Sequence, residues 1–508
     1  MQLRQSGKNL VNWLITANSQ RVALLYLLTF GAFVLVGASA ALVMQLELWG
    51  ASSTLFSGQF FGHILTQHGV VMTFVVLIPL IPAVIGNFVL PSAVGARDMA
   101  MPRWNMVGWI VHLLGSTAVV VAVELGAYDT GWTMTIPSVA TGTYQLLIAG
   151  LFFVAASTLI VNCVVARTIL SRKHRTLPMS KLPILAWFFL VSSLVVLIVS
   201  PIRLFTLTML SSQHFGLTPV FSLLEGDGII QYQHLFWAYA GPATSATLLP
   251  ALGITFEVLA ARTGTVLFAR RALIVAGIML GQFSLIAWGR HLLVTTDSEP
   301  LALAGSLFSL LTVVPISLIL LSWFIMLSRV RSWKSVPILI TGLQTIFVVI
   351  GGFAGIMLAI PSTGLMLHDS YTTTGHLHLI ALGLVFLSFL TGLFHWWPVI
   401  MQRTISPRAG RAVAICIVIG IMTTYFPMLV NGLGGLPKAL SVYPAQFEMM
   451  HKVSTAGAVV LMTGLLGAIW LLARSTLGGV SRPHEVVPDA VGEFAYANVP
   501  TPRIQEEA

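Results

Sequence analysis

Charge is what this sequence has least of. Asp, Glu, Lys and Arg make up 8% of the 508 residues and hydrophobic residues 56%, where a soluble domain carries about 25% charged. A water-exposed surface of that composition could not be solvated, so a soluble globular fold is excluded. Cysteine is nearly absent. The two present, Cys163 and Cys416, both sit in apolar stretches, which argues against a disulfide framework and against a thiolate metal site. Acidic residues are outnumbered, 16 against 26 basic ones, for a net charge of +10. That excess in a soluble protein would point to nucleic acid, but its placement here points elsewhere. No cleavable leader is expected, since Met1 to Arg21 is polar and basic and leads directly into a full-length apolar run.

What the sequence has is long apolar runs, each sufficient for a hydrocarbon core of roughly 30 Å. They predict an all-α polytopic membrane protein with spans near 23–48, 62–92, 106–127, 144–168, 183–209, 230–259, 269–293, 301–327, 336–360, 374–398, 412–433 and 450–473. Three parts follow: a cytoplasmic N-terminal segment (1–22), a twelve-helix transmembrane domain (23–476) and a cytoplasmic tail (477–508). Of the 26 Lys and Arg residues, all but Arg203, Arg290, Lys438 and Lys452 fall at the termini or in the loops that share their side. Glu124, Asp129, Glu225, Asp227, Asp297 and Glu299 collect on the other side. The positive-inside rule then puts both termini in the cytoplasm. From Gly478 onward the apolar pattern is lost, as expected of a disordered or partner-docked tail.

Thirteen histidines in such a chain call for sorting. His174, His484 and His395 are placed in loops or near span ends, and His112, His214 and His451 have no motif around them. His68, His291, His376 and His378 lie inside spans, where an ionisable side chain needs a partner. His376 and His378 are two positions apart, about 200° around a helix, so their imidazoles leave opposite faces and cannot share a metal. Each can ligate a different heme, with a facing histidine from span two completing one of them. Two histidines hydrogen-bonded in a packed core is the plainer reading of the same spacing.

The surrounding sequence words carry more. Thr66-Gln67-His68-Gly69-Val70-Val71-Met72, Gly86-Asn87-Phe88-Val89-Leu90-Pro91 and Gly95-Ala96-Arg97-Asp98-Met99-Ala100-Met101-Pro102-Arg103 stand in order along span two and the loop after it. Thr130-Gly131-Trp132-Thr133, Tyr232-Gln233-His234-Leu235-Phe236-Trp237 and His368-Asp369-Ser370-Tyr371 with His376-Leu377-His378 follow. Taken together these resemble subunit I of the heme–copper oxidases over nearly the whole chain. The resemblance implies that His68 and His378 are the axial ligands of a low-spin heme and His376 the single ligand of a high-spin heme. It also implies that Trp132 and Lys438 lie beside the heme propionates.

Departures from the family pattern cluster in one place. Ala240-Gly241-Pro242-Ala243-Thr244-Ser245 stands where the family has its first copper-ligating histidine, a channel glutamate and a cross-linked tyrosine. Trp288-Gly289-Arg290-His291 stands where it has two more copper ligands. Gly241 and Arg290 thus occupy ligand positions and only His291 remains. One imidazole beside a guanidinium does not hold a copper ion, so the resemblance with these losses implies two hemes and no copper. Ile319 stands at the family's second-channel lysine, and Lys438-Ala439 at its paired arginines. Asp98, the usual channel entrance, is kept without its receiving glutamate, so family-type proton pumping is not expected.

The expected function is a heme-bearing subunit of a respiratory electron-transfer assembly, conducting electrons or playing a structural part without reducing oxygen to water. Two other readings stand beside it. One is small-molecule redox chemistry at an open heme, with Arg290 and His291 as catalytic distal groups; the other is a terminal oxidase with an atypical metal site. Expected partners are the lipid bilayer, other subunits of the complex and an electron donor of the cytochrome c, cupredoxin or quinol class, with no nucleic acid. The expected location is a prokaryotic cytoplasmic membrane. His63 and Gln67 lie near the depth of a quinol site without specifying one.

Overall fold

The computed structural model describes residues 13, 15–52, 55–126, 131–133, 142–172, 178–217, 221, 227–294 and 299–478. Among them, twelve helices are long and apolar enough to cross a membrane. In chain order these are α1 (Ser19–Glu47), α2 (Gly58–Ala93), α3 (Pro102–Glu124), α4 (Gly142–Ser171), α5 (Ile184–His214), α6 (Gly228–Thr263), α7 (Arg270–Leu292), α8 (Glu299–Ser328), α9 (Val336–Ala359), α10 (Tyr371–Ile400), α11 (Pro407–Leu433) and α12 (Ala445–Leu477). Every span read from the sequence falls on one of them, and the architecture is all-α, with no strand among the described residues and an isolated bridge between Ser370 and Pro437. Helix ends run past the hydropathy edges, as where α11 begins at Pro407. Polar residues there end the apolar run but can continue a helix. Asp129, Thr130, His174, Glu225, Asp297 and the tail from Gly479 lie outside the described residues.

Helices α2 and α6 form the centre: 83% of each apolar window is buried, against 28% in α8 and α12, which face outward. With no water to drive them together, membrane helices associate through close backbone approach at small residues. A Cβ on Gly115 of α3 would stand 2.7 Å from the Gly150 carbonyl of α4, and one on Gly420 of α11 2.5 Å from the backbone of Leu461 on α12.

Prolines break the hydrogen-bond ladder at chosen points. Pro250 offers no N–H to the Ala246 carbonyl, and α6 is interrupted at Thr247. The Ser192 hydroxyl of α5 donates to that carbonyl instead, at 2.8 Å. In α2, Pro79 and Pro82 accompany two π-helical stretches, Val71–Leu77 and Pro82–Gly86. A third stretch, Ala381–Phe386 in α10, follows His378 without a proline in it. Wide turns of this kind gather at functional sites; two of the four among the described residues begin three residues after His68 and after His378, and the fourth, Thr168–Arg172, lies at the end of α4.

Candidate functional site

The sequence words after His68 turn out to serve its surroundings. Thr66 accepts a hydrogen bond from the Gly131 amide at 2.8 Å. A Cβ on Gly69 would stand 2.6 Å from Cβ of Trp132. Threonine and glycine near the histidine therefore dock the turn at 131–133 onto α2, which brings Trp132 against Gly69. On α10, Ser370 caps the helix start by accepting from the Thr372 amide at 3.1 Å. Gly375 and Gly432 let α10 and α11 touch backbone to backbone, fixing the turn that carries both His376 and His378.

Three imidazoles are held in the same way. His68 Nδ1 donates to the Gly37 carbonyl of α1 at 2.9 Å, His376 Nδ1 to Gly351 of α9 at 2.8 Å, and His378 Nδ1 to Thr374 at 2.8 Å. A carbonyl can only accept, so each Nδ1 carries the proton and each Nε2 keeps a lone pair to offer. Second partners of this type fix tautomer and ring direction in ligating histidines. The rings of His68 and His378 face each other across the α2–α10 gap with centroids 5.9 Å apart and planes 12° from parallel. His376 leaves the opposite side of α10, toward α9, as the spacing predicted. The ring lies against Gly355, whose added Cβ would meet it at 2.9 Å. Gly351 and Gly355 thus form a seat, one through its carbonyl and the other through its missing side chain.

Sequence reasoning missed that seat, although the Gly-x-x-x-Gly spacing on α9 was a readable sign of close helix approach. It also missed Tyr425 of α11, which stacks on His378 with centroids 4.4 Å apart and planes 9° from parallel. Nothing in the local sequence marks that tyrosine.

At the end of α7 the helix tightens into a 3₁₀ turn over Trp288–Leu292, which carries Arg290 and His291. His291 lies flat on Trp237 of α6, centroids 3.7 Å apart and planes 5° from parallel, with the His368 ring edge-on at 5.8 Å. Opposite this turn, a Cβ on Gly241 would stand 2.6 Å from Cβ of Trp288. The backbones of α6 and α7 are therefore closer than any side chain at 241 allows.

Lys438 lies in the loop after α11. Nζ is 2.8 Å from Asp369 Oδ1, and the Lys438 amide donates to the Asp369 carbonyl at 2.8 Å. His368 Nδ1 is 3.4 Å from the same carboxylate oxygen. Contact with His368, and then with Lys438, holds the Asp369 carboxyl well below the usual carboxylate range, against the opposing effect of partial burial.

All the residues singled out as ligands or site groups border one cavity of about 1120 Å³: His68, Trp132, Gly241, Arg290, His291, His376, His378 and Lys438. That exceeds the roughly 300–1,000 Å³ of an ordinary small-molecule pocket. Among the described residues no three His, Cys, Asp or Glu side chains cluster as a metal-ion site. Asp98 lies apart, accepting from the amides of Ser19 and Met99 at 3.2 and 2.6 Å. Gln67 donates to Glu124. His395, expected in a loop or at a span end, is buried within α10 instead at 2% exposure, since α10 continues to Ile400 through Pro398.

A solved structure described as a heme–copper terminal oxidase dimer superposes with a TM-score of 0.79 at 16% identity, covering 94% of this chain and 91% of its own. The fold is thus that of the heme–copper terminal oxidases, an integral-membrane class. Residues 21–460 match the family described as cytochrome c and quinol oxidase polypeptide I. Relatives include cytochrome c oxidase subunit 1 of Thermostichus vulcanus, 28% identical over 470 residues (90% of this chain, 84% of the relative). Another is cytochrome c oxidase subunit 1 of Bacillus subtilis, 27% identical over 499 residues (95% and 79%). The chain belongs to this family: it is a multi-pass membrane protein of electron transport, subunit I in type, and membership implies bound heme.

Proposed function

We propose that this chain is a two-heme electron-transfer subunit of a respiratory assembly and does not reduce oxygen to water. Support for the low-spin site comes from the His68–His378 spacing. Two imidazoles ligating one iron end-on have ring centres roughly 6 Å apart, close to the 5.9 Å found. His68 and His378 would hold one heme between them, a site suited to passing electrons. His376 would hold the second heme through a single imidazole, a site that would be able to bind a small ligand. When bound, the two hemes supply one-electron redox chemistry. The protein orients three imidazoles through backbone carbonyls and presents Trp132 and Lys438 along the cavity wall.

The observation that carries the proposal is the donor set at the copper position. Gly241 offers no ligand and its space is filled by Trp288. Arg290 is a permanent cation. His291 is the one imidazole left of three, and it is stacked on Trp237. These residues do not fit copper, so no step is assigned to it. A second reading, small-molecule chemistry at the His376 site with Arg290 and His291 as distal groups, is favoured by one observation: both side chains border the cavity that His376 borders. The orientation that goes with this function puts both termini in the cytoplasm of a prokaryotic inner membrane, following the basic loops. Other subunits and a donor such as cytochrome c, a cupredoxin or quinol complete the assembly.

Metal analysis of the purified chain tests the proposal: two irons per chain and no stoichiometric copper are expected. One copper per chain would restore the terminal-oxidase reading. Carbon monoxide separates the first two readings. A spectral shift shows an open His376 heme, and no shift leaves conduction alone.

A further inference from the structure

One charged side chain lies deep in the bundle and away from the central cavity. Arg203 is among the four basic residues that fall outside the termini and their loops. It stands on α5 eleven residues before that helix ends at His214, about 16 Å along the axis, and is 1% exposed. An ionisable group at such depth is costly to hold and marks a functional position by default. Three rings box it in. The guanidinium carbon lies 4.8 Å from the ring centroid of Phe74 on α2 and 5.8 Å from those of Phe236 and Tyr239 on α6, all within reach of a cation–π contact. Arg203 does not border the cavity, so protein alone builds this box.

An aromatic face attracts a cation through its quadrupole and carries no net charge. The rings therefore stabilise the guanidinium without cancelling it, and a guanidinium stays protonated. The same rings back the cavity wall. Trp132, which borders the cavity, packs on Phe74 and Phe236 with centroids 6.1 and 5.5 Å apart. It stands against Gly69, the residue after His68. Tyr232, one turn before Phe236 on α6, donates from its hydroxyl to the Thr133 carbonyl at 2.9 Å. The turn that carries Trp132 is thus tied to the helix that carries two of the rings. One side-chain layer separates a fixed positive charge from the wall beside His68.

We propose that Arg203 sets the reduction potential of the heme held at His68, by keeping one positive charge behind the Trp132 wall. Reduction adds one electron to that heme, and a cation nearby favours the state that carries it. Whatever else the guanidinium meets, a neutral side chain at 203 removes one positive charge from this layer. The inference rests on the proposed low-spin heme between His68 and His378, and it is independent of what the copper position holds.

The experiment is a redox titration of the purified assembly, following the low-spin absorption band, in the native chain and in Arg203→Met, Arg203→Gln and Arg203→Lys. The native spectrum tests the underlying reading separately: absence of a low-spin band there would sink the heme assignment and this inference with it. With the band present, Arg203→Met and Arg203→Gln should each lower the reduction equilibrium constant about tenfold, a midpoint fall of about 59 mV for one electron. Arg203→Lys, which keeps the charge, should stay near the native midpoint. Exchange of a buried ion for an apolar side chain of similar size is commonly tolerated, and an unchanged band shows that the site is intact. An unchanged midpoint in both neutral variants would overturn the proposal. An equal fall in Arg203→Lys, or loss of heme from both neutral variants, would overturn it in favour of a packing role.

Discussion

At the scale of the residue, the proposed function gives three imidazoles distinct duties, and substitution separates them. His378→Ala and His68→Ala should each remove the low-spin signal from the reduced absorption spectrum, with loss of up to one heme per chain. His376→Ala leaves that signal in place and abolishes any carbon monoxide shift. Loss of both signals in His376→Ala would mean that the two sites are not independent. Gly241→His answers a different question. Because Trp288 fills the space beside Gly241, the added side chain overpacks the α6–α7 contact. We expect a destabilisation of about 1–3 kcal/mol and no copper uptake. A stable variant that binds copper stoichiometrically would show that glycine alone keeps the metal out. Asp369 carries the pH prediction. Its pKa lies below the ordinary carboxylate value of about 3.9, so its pairing contributes fully above that value and is lost only as pH falls through the lower one. Asp369→Asn should therefore lower stability by under about 1 kcal/mol, as for an exposed ion pair, at pH 8 in thermal melts, and the difference should disappear only well below the ordinary carboxylate value. A difference already gone at pH 5 would contradict the assignment. These residues were legible in the sequence because the words around them resemble a known family's; their two-residue spacing alone left a packed-core reading open. Their partners were not: Gly37, Gly351 and Thr374 act through carbonyls, which any residue possesses.

At the scale of the element, the helices are shaped by what their prolines and glycines withhold. Ser192 is the compensating partner for the carbonyl that Pro250 leaves free. Ser192→Ala strands that buried carbonyl and should cost about 1–3 kcal/mol, read as a lower melting temperature in detergent. An unchanged melt would mean that another donor takes over. The positions of the spans could be read from the sequence because long apolar runs follow directly from bilayer thickness. The π-helical stretches after His68 and His378 could not, since one extra residue in a turn leaves no mark on hydropathy. His395 shows the opposite limit. A histidine beside two tryptophans and a proline reads as a span end, yet α10 carries it into the interior.

At the scale of the whole molecule, the fold is that of the heme–copper terminal oxidases, with Gly241 and Arg290 at the positions where the sequence resemblance places copper ligands. The bundle uses α1, α2, α9, α10 and α11 to hold and stack the three imidazoles, and the departures at Gly241, Ala243, Ser245 and Arg290 lie on α6 and α7 instead. The proposed retention of heme ligands and the proposed loss of copper ligands are therefore compatible in one fold. Orientation is a whole-molecule property as well. A reporter fused after residue 508 and an accessible tag before residue 1 should both report the cytoplasm, given that 22 of 26 basic residues share one side. A reporter active outside the cytoplasm would reverse the topology. An experimental density map of the purified subunit reaches furthest. It should show one porphyrin between His68 and His378, a second on His376, and no metal between that second porphyrin and Arg290. A copper-sized peak at Arg290, or His376 without a porphyrin, would contradict the account.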